Sequence, residues 1–144
     1  MPTKTTPGVT VLLTQLSRVV YRRTPEEVLG MRLKEFVMLA HLREHNPIPQ
    51  QELGEMLCID ANNLVLLLND LETKGFALRR RDPSDRRRHL VEITEGGLQA
   101  FEGAERGIES VEDDVLASLS GRERSELQVL LAKALEGAPP ALGT

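Results

Sequence analysis

Arg79-Arg80-Arg81-Asp82-Pro83-Ser84-Asp85-Arg86-Arg87-Arg88-His89 places six arginines within eleven residues. With its two aspartates the stretch carries a formal +4. The whole chain is −4, which leaves −8 on everything else. An acidic chain that gathers its arginine into one short segment presents that segment to an anion. Phe76-Ala77-Leu78 before it and Leu90-Val91-Glu92-Ile93 after it read as strands. Asp-Pro-Ser-Asp between them is turn chemistry, because proline presets φ and the aspartates hydrogen-bond the local backbone. The segment is thus a β-hairpin tipped with arginine, able to reach DNA phosphates or a narrow minor groove. An isolated charge run reads more plainly as a solvated loop, so its neighbours decide the matter.

Working back from the hairpin, Asp60 is a good N-cap for a helix over 60–74. Leu64, Leu67, Leu68 and Leu71 give that helix a core face, and Gly75 follows as its C-cap. A short helix over 50–57, with Leu53, Met56 and Leu57 inward, is joined to it through Cys58-Ile59. Pro49 suits its first turn. Leu33 to His45 forms a further helix with Leu33, Phe36, Val37, Ala40 and Leu39 inward, ended by Asn46-Pro47-Ile48-Pro49. Glu26-Glu27-Val28-Leu29 adds a helical turn, and 10–23 carries an apolar stripe of Leu12, Leu13, Leu16, Val19 and Val20. Forward of the hairpin, Thr94 caps a long helix to about residue 117. Ser120-Gly121-Arg122-Glu123 is a capping box that opens a last helix to about 136. Gly137 and Pro139-Pro140 end the structure.

The fold class is therefore mainly α with a small β-wing. It is a winged helix-turn-helix of about six helices, in one domain over 1–144, with the winged unit at about 33–94. The 60–74 helix takes the recognition position in the major groove, and the wing over 79–89 reaches the neighbouring backbone or minor groove. Helices 10–23 and 95–136 have more apolar face than one small winged unit covers. A two-fold dimer buries those faces and sets two recognition helices about one DNA turn apart on a near-palindromic operator.

The bulk numbers agree. Hydrophobic residues make up 40%, charged residues 28% and aromatics only 3%, which suits helices packed on helices. No apolar run approaches the roughly 18 residues of a membrane span, and residues 1–8 read as a short flexible arm without a signal peptide. A cytoplasmic protein is expected. One cysteine, Cys58, excludes an internal disulfide and a cysteine-based zinc site. His41 and His45, at i and i+4 with no carboxylate placed to help, make a poor metal pair, so neither metal nor cofactor is expected. No phosphate loop, nucleophile elbow or metal motif is present, which argues against an enzyme.

The run from Leu71-Glu72-Thr73-Lys74-Gly75-Phe76 through Asp82-Pro83-Ser84-Asp85-Arg86-Arg87 to Val91-Glu92-Ile93-Thr94-Glu95-Gly96-Gly97 resembles the MarR family of bacterial transcription regulators. It fills every fixed position of the family's wing pattern, D-P-x-D-R-R-x-x-x-V-x-[LI]-T-x-x-G, and the helix order fits from about 10 to 136. The resemblance implies a triangular winged-helix dimer that represses its own and adjacent genes and releases DNA on binding a small aromatic or anionic ligand. It implies that Arg87 enters the minor groove with Asp85 as its partner. A carboxylate two residues away on a strand shares its face and can orient the guanidinium bidentately. Arg86 and Arg88 then lie on the other face and meet phosphates, with Arg79 and Arg81 adding to the patch.

The chain departs from the family at the recognition helix. Its outward strip is Asn62, Asn63, Leu66, Asn69 and Asp70, without arginine or lysine. Asparagine pairs bidentately with adenine and leucine can meet a thymine methyl, so an A·T-leaning site is expected. Asp70 belongs at the groove's edge, away from phosphate. Leu66 equally suits a protein partner. A winged-helix interaction module with weak or lost DNA specificity is therefore the alternative reading. Effector candidates between the first helices and the winged unit are Arg18, Tyr21, Arg22, Arg32, Met38 and His41, each with a plain surface or core role as its alternative. Cys58 has no nearby base or cation and is expected to be buried rather than to sense oxidants.

Overall fold

The computed structural model describes residues 5–137. The start of the expected N-terminal arm, 1–4, and the Pro139-Pro140 ending lie outside the described residues. The order is α1 (Val9–Arg23), α2 (Glu26–Leu29), α3 (Leu33–Glu44), β1 (Ile48–Pro49), α4 (Gln50–Leu57), α5 (Ala61–Thr73), β2 (Ala77–Asp82), β3 (Asp85–Ile93), α6 (Glu95–Val115) and α7 (Gly121–Glu136). The three strands form one antiparallel sheet in the order β1-β3-β2. This is a winged helix-turn-helix with long flanking helices.

A single core ties the winged unit to the first half of α6. Met38, Leu39 and Leu42 of α3 meet Leu53 of α4 and the four leucines of α5. Ala77, Val91 and Ile93 of the sheet and Phe101 and Ala104 of α6 complete it. The α5 stripe is buried as its period requires. At its far end Gly75 adopts φ +77°, the N–H of Phe76 donates to Leu71 and that of Gly75 to Glu72. This Schellman closure needs a left-handed residue and turns the chain straight into β2.

Three placements differ from the sequence reading. In α3 the buried set is Leu33, Glu35, Met38, Leu39 and Leu42, while Val37 is exposed. The helix is sandwiched between the winged core and α6, so burial spreads beyond one stripe. Phe36 stacks on Phe101 at 4.7 Å and Arg43 covers the same ring at 4.4 Å. In α4, Met56 is 41% exposed and Gly54 takes the inward place. A Cβ on Gly54 would stand 2.9 Å from Leu64 Cδ2, so the glycine lets α4 lie close against α5. Finally, Ile48-Pro49 does more than end a helix. It pairs with Val91 and Leu90 as a third strand, burying Ile48, and Asn46 Oδ1 accepts the N–H of Ile93 at 3.2 Å.

Helices α1 and α7 contribute no buried residue. Their apolar residues, among them Leu12, Leu13, Val19, Leu130 and Leu135, face outward. The long α6 is different, because Gly97, Phe101, Ala104 and Val111 are buried in the chain's own interior.

Candidate nucleic-acid interface

Asp60 caps α5 through its side chain, which accepts the N–H of Asn63 at 2.9 Å and the Asn63 amide at 2.7 Å. Those bonds, the backbone one first, hold its carboxyl below the ordinary value. Ahead of it Cys58 sits in the left-handed region at φ 55° and is exposed, not buried as expected. As the left-handed C-cap of α4 it stands past the end of that helix and outside its buried stripe. The exposed strip of α5 carries Asn62, Asn63, Leu66, Asn69 and Asp70, with Leu66 62% exposed. Asp70 is not bare: Arg32 Nη2 reaches Asp70 Oδ2 at 2.6 Å.

The hairpin holds its register from Ala77↔Ile93 to Arg81↔His89, then shifts at Arg81/Asp82 and turns through Pro83-Ser84. Asp82 Oδ1 accepts both the N–H and the hydroxyl of Ser84, at 2.9 and 2.7 Å. The turn is thereby locked by one carboxylate, and those bonds keep its pKa low. Along β2, alternation sets Arg79 on the same face as Val91, against α5. Its Nε donates to Glu72 at 2.6 Å and its Nη2 to Asn69 Oδ1. Arg80, on the other face, pairs with Glu92 at 2.9 Å. Arg81 donates to the Arg86 carbonyl at 2.6 Å. Arg86 has no salt bridge among the described residues, and Arg88 has only a 3.6 Å contact to Glu52. Arg87 is 92% exposed. Asp85 Oδ1 accepts its N–H at 3.1 Å and meets its Nε at 3.4 Å. The expected orienting contact is thus one-point and loose rather than bidentate. Of the predicted wing contacts, Arg79 is committed to α5, whereas Arg81, Arg86, Arg87 and Arg88 keep donors facing solvent.

The family model for MarR matches residues 31–89, which covers α3 to the wing. A Thauera aromatica regulatory protein named for its hcr operon is 30% identical over 78% of this chain and 68% of its own length. The chain belongs to the MarR family. The uncharacterised HTH-type transcriptional regulator YdgJ of Bacillus subtilis is 34% identical over 75% of this chain and 66% of its own length. Among solved structures, an Escherichia coli MarR mutant in complex with operator DNA superposes with a TM-score of 0.74 at 26% identity, over 88% of this chain and 93% of that one. The MarR family consists of transcription regulators rather than enzymes, and this chain is a DNA-binding member of it. Among its described residues no helix is long and apolar enough to cross a membrane.

The residues singled out as effector contacts are scattered across this MarR-family fold. Met38 is fully buried in the core, which removes it from any ligand surface. Arg32 is bound to Asp70 and to Glu35. Arg18, Tyr21 and Arg22 lie exposed on α1, and His41 is half-buried on α3. A cleft of about 950 Å³ lies elsewhere, between α4, the start of α5 and the wing, with Glu52, Glu55, Cys58, Arg87 and His89 on its walls. Sequence reasoning missed Glu35. Its side chain is wholly buried, and Oε1 accepts from Lys74 Nζ at 2.8 Å and from the N–H of Arg32 at 2.9 Å. A glutamate at the third position of α3 hinted at the cap. Lys74, at the end of α5, gave no local hint. This pair and the Arg32–Asp70 bridge clamp the end of α5 to the start of α3.

Carboxyls held low in the folded chain favour folding above their protonation range. Burial works to raise the Glu35 carboxyl, but Lys74 and Arg32 overcome it and hold the pKa below its ordinary 4.5. Asp60 and Asp82 lie below their ordinary 3.8, and Glu123, bonded by Ser120, below 4.5. Burial, then the charge of His45, lowers His41 from 6.5. In every case the unfolded chain binds the proton more tightly, so stability rises with pH across the affected window. Urea unfolding at a series of pH values should show stability easing as the pH falls through 6.5, where unfolded His41 takes up its proton. It should then drop steeply below 4.5 as the carboxylates protonate. A protein that gains stability on acidification would contradict the assignment.

Proposed function

We propose that this chain is a homodimeric, sequence-specific transcriptional repressor. Its α5 enters the major groove and its wing the adjacent minor groove of a near-palindromic operator. The observation that carries this reading is the exposed, loosely tied triplet Arg86-Arg87-Arg88 beside a hairpin turn locked by Asp82, next to an exposed α5 strip whose Asp70 is paired with Arg32. The uncovered apolar faces of α1 and α7 support self-association, over 10–23 and the later part of 95–136. Arg18, Tyr21 and Arg22, at i, i+3 and i+4 on one face of α1, suit a small aromatic or anionic effector that loosens DNA. The setting is cytoplasmic.

Selection from a random duplex pool at about 150 mM salt tests the reading. It expects a near-palindrome with half-sites about one turn apart. Arg87→Ala should lower operator affinity by about 1–3 kcal/mol in a titration. Binding equal to wild type would remove Arg87 from the interface. The exposure of Leu66 favours a second reading, a protein-binding winged helix. Salt separates the two, because phosphate-based binding weakens by orders of magnitude between about 50 and 200 mM and an apolar protein contact does not.

A further inference from the structure

The sequence presents Arg79 as one more cation of the DNA-facing patch, but its surroundings give it different work. It lies on the inner face of β2, with only 21% of its side chain exposed, and its Nε and Nη2 are both taken up by Glu72 and Asn69 of α5. A guanidinium has donors only. The atom that Asn69 turns toward Arg79 must therefore be its carbonyl oxygen. The Asn69 amide nitrogen is left as the atom facing outward. Asn62 lies seven residues earlier on the same face of α5, on the other side of Leu66, and its side chain has no hydrogen bond among the described residues. Its amide is free to present both atoms.

We propose that Arg79 is a positioning residue for base recognition, and that by holding the Asn69 oxygen it makes Asn69 a donor-only reader of the major groove. This rests on the proposed placement of α5. A free asparagine pairs bidentately with adenine, accepting from N6 and donating to N7. With its oxygen turned toward Arg79 and its amide nitrogen toward the groove, Asn69 no longer offers the acceptor half of that pair. It favours the bases whose major-groove edge offers acceptors alone, guanine through N7 and O6 or thymine through O4, and it rejects cytosine, which offers only a donor. The expectation of adenine at each asparagine then holds for Asn62 and is replaced at Asn69 by guanine or thymine.

The test compares duplexes selected from a random pool by the full-length wild type, Asn69→Asp and Arg79→Gln proteins, with binding constants measured across a salt series. An aspartate keeps the bond to Arg79 but turns an acceptor outward. At one position of each half-site, preference should move from guanine or thymine to cytosine or adenine by roughly fivefold or more, the rest of the motif staying unchanged. Glutamine at 79 can donate or accept and releases the lock, so the same position should broaden to admit adenine. The salt slope should stay that of wild type, since no phosphate contact is lost. An unchanged motif with Asn69→Asp overturns the inference while leaving the α5 reading intact. An even loss across all sequences with Arg79→Gln, with the salt slope reduced by about one, also overturns it, because Arg79 is then a phosphate contact. A wild-type pool without any motif removes the proposed reading itself, and the inference with it.

Discussion

A Leu130→Glu, Leu135→Glu variant is expected to sediment as a monomer, to keep its helical content and to lose about 100-fold or more in operator affinity. Leu130 and Leu135 are 62% and 73% exposed on α7, beside the exposed Val129 and Leu131, and α1 likewise turns Leu12, Leu13 and Val19 outward. Large exposed apolar patches mark interaction sites. The proposed self-association would cover these residues, at about 25 cal/mol per Å² of apolar area buried. Two glutamates at these positions would each need to be desolvated without a partner, which reverses the sign of the contact. The winged core is indifferent to the change, because α7 contributes no buried residue to it. The loss in DNA binding follows from linkage: two half-sites held by one rigid dimer gain roughly 10²–10⁴ over a single half-site. Analytical ultracentrifugation and a binding titration on the same sample decide the matter. A variant that remains dimeric would move the two-fold elsewhere, and a monomer that binds the full operator as tightly as wild type would show that dimerisation is not needed for recognition.

The parts of this molecule that were legible in the sequence are those set by short-range rules. The wing could be read because Pro83 and the Asp82 carboxylate make a two-residue turn from adjacent positions. The α5 face could be read because four leucines repeat at helical spacing, with Asp60 and Gly75 marking the ends. What escaped depends on partners distant in the chain. A two-residue strand at Ile48-Pro49 has no period to detect, and it exists because β3 offers an open edge. Glu35 is buried because Lys74 arrives 39 residues later to neutralise it. Arg79 looked like its neighbours, yet strand alternation turns it toward Glu72 while Arg80 turns away. Within an arginine run, composition announces the charge, and only the pleat says which side chains are free to use it. The proposed interface is therefore narrower than the run itself.

Gly97→Ala is expected to be the most destabilising single methyl added to this chain. A Cβ at Gly97 would stand 2.1 Å from the Phe76 carbonyl oxygen, 3.0 Å from its carbon and 2.9 Å from Ile93 Cγ1. That carbonyl cannot swing aside cheaply, since it accepts the N–H of Thr94 at 3.1 Å. The neighbouring Gly75 carbonyl accepts the Thr94 hydroxyl at 2.6 Å, and the same hydroxyl caps α6 by accepting the Gly97 N–H at 2.9 Å. The end of α5, the start of β2 and the first turn of α6 therefore meet at one point, and the methyl forces them apart. Overpacking of this kind costs about 3 kcal/mol when backbone must move, which for a chain of this length lowers the melting temperature by about 10 °C. The wing hangs from the same junction, so DNA affinity should fall with the fold. Gly103 on α6 is the matched control, with nothing within 4 Å of its Cβ position. There alanine should raise stability by up to about 1 kcal/mol, through helix propensity alone. Thermal melts of the two variants should thus shift in opposite directions. If Gly97→Ala melts with the wild type, the junction is not as close as the geometry states.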